Sequence, residues 1–171
     1  MDLQPILKND LVRIRPLSPK DFKKLYQAAS DDLIWEQHPD RDRGTLSGFV
    51  SFFSESLKSK GALLIEDQKT GITIGSSRYK ILLDYNGAVE IGWTFLSRKY
   101  WGGTYNASIK ELMVHHAFKF VSQVILFVDS DNLRSQKAIE KLDFIRKDQL
   151  IINRGSGQAK NDMVYSINRV Q

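Results

Sequence analysis

Residues 89–144 constrain this chain more than any other part of it. An alternating run, VEIGWTF, leads into the loop SRKYWGGTYN, which opens an amphipathic stretch followed by an all-apolar run, VILFV. Strand, helix and strand in that order require a right-handed crossover between two parallel strands of one sheet. The first backbone N–H groups of such a helix have no partner within it, and the helix dipole favours an anion there. A glycine-bearing loop at this point therefore reads as a phosphate-binding turn. An ordinary helix-opening turn has the same composition, so the loop alone decides nothing.

The rest of the chain builds a sheet around that unit. Residues 11–15 alternate apolar and basic side chains as a half-buried strand does, and Pro16 and Pro19 end the run. Ser18, Pro19 and Asp21 then give an N-cap, a first-turn proline and an acid three residues on, with Phe22, Leu25, Tyr26 and Ala29 on one helical face. Phe49, Phe52, Phe53 and Leu57 predict a second helix after a polar, irregular stretch at residues 30–44. Strands are expected at residues 62–65 and from Ile72 to about Leu83, and a turn at residues 84–87.

In the strand that follows, Val89, Ile91, Trp93 and Phe95 are expected on one side and Glu90, Gly92 and Thr94 on the other. The next helix is expected to turn Ile109, Leu112, Met113, His116, Phe120 and Val121 inward, which makes His116 a packed histidine rather than a metal ligand. Asp131 or Asn132 caps a further helix, and residues 144–152 and 163–167 close the sheet around a Gly-Ser-Gly turn.

A length of 171 residues suits one domain spanning residues 1–171. With no cysteine, thiol nucleophiles, disulfides and thiolate metal sites are excluded. No metal is expected. No apolar run is long enough to span a bilayer, and the first residues lack the pattern of an export signal, so the expectation is a soluble, cytoplasmic protein without a membrane partner. The net charge of +5 comes from 25 Lys and Arg interleaved with 20 Asp and Glu, a solvated surface rather than a nucleic-acid footprint. An exposed sheet edge is compatible with a homodimer.

Element order and loop together resemble the GNAT superfamily of acetyl-CoA-dependent N-acetyltransferases, and above all its branch related to the ribosomal-protein N-terminal acetyltransferases. The family's phosphate loop reads Gln or Arg, two free positions, Gly, one free position, then Gly or Ala. Here Trp101, Gly102, Gly103, Thr104, Tyr105 and Asn106 occupy that frame, with Thr104 in the glycine position. Asn132 with Ser135, and Lys141 to Phe144, are similar to the family's second motif, with Asp143 replacing a glycine. The resemblance implies an α/β (α+β) single-domain fold. Its central mixed, mostly antiparallel sheet has about six or seven strands, with a parallel crossover at the cofactor site and helices on both faces.

The resemblance also implies the chemistry: acetyl-CoA as donor and direct attack on its thioester by an amine, either a peptide N-terminus or a small molecule. Glu90 is the implied proton acceptor, although a sheet carboxylate paired with Arg78 or Lys80 fits the same position. Ile139 stands where many members carry a thiolate-protonating tyrosine, so Ser135 is the implied partner of the sulfur. The backbone of Phe95 and Leu96 is expected to pair with pantetheine amides, and Arg98, Lys99, Arg134 and Lys137 are cations available to phosphates. Trp35, Glu36, His38, Arg41 and Arg43 lie in the region that lines the acceptor cleft in this superfamily. The altered loop and missing tyrosine leave a second reading, a non-catalytic acyl-CoA-binding or regulatory module.

Overall fold

The computed structural model describes residues 1–85, 87–147, 150–152 and 160–169. Its elements run β1 (Leu7–Lys8), β2 (Val12–Pro16), α1 (Phe22–Ala29), α2 (Leu46–Lys58), β3 (Ala62–Asp67), β4 (Thr73–Leu82), β5 (Ala88–Leu96), α3 (Tyr105–Ala117), β6 (Gln123–Asp129), α4 (Leu133–Ile139), β7 (Ile145–Arg146), β8 (Leu150–Ile152) and β9 (Lys160–Asn168). The sheet order is β1-β2-β3-β4-β5-β6-β9-β7, with β8 also on β9. Only β5 and β6 are parallel among the described pairs. Six long strands form the expected mixed sheet, and β1, β7 and β8 extend its rims by two or three residues each. The expected Gly-Ser-Gly turn and Asn86 lie outside the described residues.

Each face of the sheet carries its own core. On one face α3 brings Ile109, Met113 and Ala117 against Ile14, Leu63, Tyr79, Val89 and Ile91. On the other, Leu25 of α1 and Phe49 and Phe52 of α2 pack with Trp35 against Ala62, Leu64 and Phe95. The inward stripe of α3 ends earlier than its sequence suggests, because the helix stops at Ala117 and leaves Phe120 52% exposed. His116 is packed as expected, with its ring against Tyr79 and Nε2 at 2.9 Å from the Asp2 carbonyl.

The turn into α1 forms as its sequence dictates. Asp21 Oδ2 accepts from Ser18 N and Ser18 Oγ, both at 2.9 Å, while Arg15 of β2 grips both Asp21 oxygens at 2.8 and 2.9 Å. The Arg15 hydrogen bond, aided by those from Ser18, holds the Asp21 carboxyl down at about 2. A depressed carboxylate stabilises the fold above its unfolded value of 3.8, and that contribution is lost as pH falls toward 2. Asp21→Asn is therefore expected to cost about 2 kcal/mol at neutral pH. In urea unfolding, the difference between variant and wild type should close as the pH is lowered to about 2.

Candidate active site

The sheet opens where its parallel pair ends. β5 and β6 are in register only at Val89 with Val124 and Glu90 with Ile125. Beyond that point Gly92, Trp93 and Thr94 of β5 face Leu126, Phe127 and Val128 of β6 across a cleft of about 710 Å³. A bulge in β5 shapes the gap. Ser76 pairs with Phe95 but Arg78 pairs with Gly92, so Ser77 alone spans Trp93 and Thr94. Trp93 absorbs the extra residue at φ 53°, in the left-handed region that non-glycine residues seldom occupy.

The bulge resets the alternation expected from the sequence. Val89 and Ile91 face α3 as read, but past Trp93 it is Thr94 and Leu96 that face α3, while Trp93 and Phe95 join the α1–α2 core. Glu90 and Thr94, expected on one polar face, thus flank the gap from opposite faces. Glu90 is buried at 3% exposure, and its Oε1 lies 2.8 Å from where a Cβ on residue 92 would stand. Only glycine at position 92 leaves the carboxylate in this place. Glu90 shares the α2 face with Arg78, whose guanidinium lies 4.4 Å from the Trp93 ring and donates to Ser56 Oγ at 2.6 Å. Burial brings Arg78 down to about 10.

At the start of α3, Gly102 adopts φ 72°, and a Cβ built on it or on Gly103 would meet nothing within 4 Å. Thr104 is the N-cap residue but makes no side-chain cap bond, and the first helical bond joins Ser108 N to Thr104 O. The N–H groups of the first turn therefore point outward from an exposed loop. Asn106, one turn before Lys110, lines the adjoining cleft.

The stretch of chain that carries the gap between parallel strands, the bulge before it and the open helix start is matched by a family model. The model described as an acetyltransferase (GNAT) domain covers residues 12–145. The chain belongs to the GNAT acetyltransferase family. This GNAT domain is accordingly an acyltransferase, and its family uses acetyl-CoA. A GCN5-related N-acetyltransferase from Brucella melitensis superposes with a TM-score of 0.81 at 16% identity, over 96% of this chain and 79% of that one. A Vibrio cholerae structure described as a ribosomal-protein-serine acetyltransferase gives 0.80 at 13% identity, over 99% and 100%. Mycobacterium smegmatis RimJ in complex with CoA-disulfide gives 0.68 at 14% identity, over 96% and 86%. No curated protein matches the chain.

The GNAT domain gathers many of the residues singled out in the sequence. Glu90, Asn106, Asn132, Ser135, Trp35 and His38 all line the cleft. Asn132 caps α4, its Oδ1 accepting from Ser135 N at 3.1 Å. Trp35 is a core residue as well: Nε1 donates to the Ala29 carbonyl at 2.7 Å and the ring packs 5.1 Å from Phe95. Glu36, Arg41 and Lys137 are exposed and do not line the cleft. Phe95 and Leu96 are buried side chains at the end of β5.

Several loop residues have structural work. Trp101 Nε1 donates to the Leu96 carbonyl at 2.8 Å, and Tyr105 OH donates to Asp67 Oδ2 at 2.6 Å. Arg98 pairs with Asp31 and lowers its carboxyl pKa. Arg134 stacks 4.2 Å from the Trp101 ring while donating to the Leu33 and Ile34 carbonyls. Gly102, Gly103 and Thr104 keep the loop surface open, which fits a phosphate-bearing cofactor at the α3 start with its thioester arm in the gap beyond.

Lys110 escaped the sequence reading. It is 5% exposed, lines the cleft and donates from Nζ to Thr94 Oγ1 at 2.7 Å, and burial brings its amine down to about 7. A single lysine in a helix reads as a solvent residue. The available signal was its spacing, since Asn106, Lys110, Met113 and Ala117 follow one helical face.

Proposed function

We propose that this GNAT domain transfers the acetyl group of acetyl-CoA to a primary amine, with a protein N-terminus favoured over a small-molecule amine. The observation that carries the reading is the gap between β5 and β6, which places a buried carboxylate, Glu90, beside a passage that leads from the open α3 start. Similarity in fold to the ribosomal-protein acetyltransferases favours the peptide acceptor. A cytoplasmic location fits this reading.

Acetyl-CoA supplies an activated acetyl thioester. The backbone N–H groups around Gly103, Thr104, Tyr105 and Asn106 bind its phosphates, with Arg98 at the rim. The free backbone edge of β5 up to Phe95 and Leu96 pairs with the pantetheine amides, and Asn132 flanks that arm. Ser135 donates a hydrogen bond to the sulfur, and Trp35 and His38 position the acceptor. Glu90 takes the amine's proton as the carbon–nitrogen bond forms. No acyl-enzyme is involved.

Gly92→Ala probes this geometry with little cost to the fold. The three atoms nearest the added methyl all belong to the Glu90 side chain and none to the backbone, so stability should stay within about 1 kcal/mol. Displacing the carboxylate should lower kcat roughly 10-fold.

The reading is tested by incubating the protein with acetyl-CoA and a panel of peptides and small amines, following thiol release and product mass. Acetylated peptide N-termini are the expected product. Binding of acetyl-CoA with no acetylated product would instead support the non-catalytic module.

A further inference from the structure

The acetyl-transfer reading leaves the departing sulfur without a proton source, because Ile139 lines the cleft on α4 and Ser135 supplies a hydrogen bond but no net charge. The cleft is approached from two sides. Glu90 and Arg78 belong to the α2 face, and Arg78 is held there by Ser56. On the α3 face the cation at the gap is Lys110. Its Nζ donates to Thr94 Oγ1, which lies 2.8 Å from Ser77 Oγ, so the bulge in β5 fixes where the amine sits. Among the described residues Thr94 is its one hydrogen-bond partner, and no carboxylate is paired with it.

We propose that Lys110 is the proton donor to the leaving sulfur, acting from the α3 face while Glu90 receives the amine's proton on the α2 face. This inference rests on the acetyl-transfer reading above. The step balances: the amine nitrogen bonds the carbonyl carbon, the carbon–sulfur bond breaks, Glu90 takes the nitrogen's proton and the sulfur takes one from Lys110. Lys110 is reprotonated from solvent. A buried amine brought down to about 7 gives its proton readily to a thiolate whose conjugate thiol titrates near 8.5. The other ionisable groups that line the cleft are Glu90, Asp129, Asp162, Asp40, Glu55, His38, Arg43, Arg78, Lys80 and Tyr85, none of them on α3.

The test combines a spectroscopic signature with kinetics. The ultraviolet absorbance of the thiolate is followed as coenzyme A bound to the protein is titrated with base, for wild type, Lys110→Met and Lys110→Arg. In wild type the amine loses its proton before the thiol does, so the bound thiol should titrate close to the free thiol, as in Lys110→Met, whereas the fixed charge of Lys110→Arg should lower it by about one pH unit or more. Lys110→Met should also lower kcat at least about 10-fold with the KM for acetyl-CoA unchanged. Lys110→Arg keeps a charge at every pH of the titration but does not release its proton, so it should show the low thiol titration without restoring kcat.

An unshifted thiol titration in Lys110→Arg, or full turnover in either variant, would overturn the proposal alone. Failure of the wild-type protein to bind coenzyme A would overturn the acetyl-transfer reading and this inference with it.

Discussion

Glu90→Gln is expected to lower kcat about 10³-fold with the amine that the acceptor panel identifies, while leaving affinity for acetyl-CoA unchanged. Glutamine keeps the shape and the hydrogen-bonding reach of glutamate, but it takes up no proton. Glu90 is buried on the α2 face where β5 and β6 begin to part, away from the loop and helix start proposed to bind the phosphates. Binding and proton transfer are therefore separable in this site. Calorimetric titration with acetyl-CoA beside steady-state kinetics checks both halves. Unchanged kcat would make Glu90 a structural carboxylate and move the base elsewhere in the cleft.

The second large effect is on stability. Lys110→Met is expected to stabilise the fold by about 4 kcal/mol at pH 7, because wild type buries an amine with no carboxylate partner. The sign follows from the shift. The folded pKa lies at about 7, below the unfolded value of 10.5, so the folded state binds the proton less tightly. The penalty is complete below pH 7 and relieved as pH rises toward 10.5. Urea unfolding of variant and wild type across that range should show the gap shrinking by about 1.4 kcal/mol per pH unit. Thr94 keeps Ser77 as a partner, so the substitution strands no hydroxyl. A wild type as stable as the variant at pH 7 would show that the amine is solvated.

Local chemistry made much of the frame readable. Ser18, Pro19 and Asp21 specify the turn into α1, Asn132 specifies the cap of α4, and five consecutive apolar residues specify a strand covered on both faces, β6. The bulge was missed because VEIGWTF alternates without a break; its one local signal is Gly92, an isolated glycine within the strand directly before Trp93. Its effect on the site is large, since it turns Thr94 toward Lys110 and away from Glu90. Phe120 was misplaced because periodicity runs past the point where α3 ends. The cations of the loop were readable as charges but not as partners: Arg98 is committed to Asp31, and Arg134 to carbonyls and the Trp101 ring. Such pairings join segments 67 and 100 residues apart, beyond the reach of local pattern.

The most direct test of the central claim, that the open α3 start and the gap beside it hold acetyl-CoA, is thermal unfolding with acetyl-CoA against an ATP control. At about a hundred times its dissociation constant the cofactor should stabilise the protein by roughly 2.7 kcal/mol, with ATP giving a clearly smaller shift because it fills the phosphate loop but not the gap. Equal shifts, or none, would contradict the account.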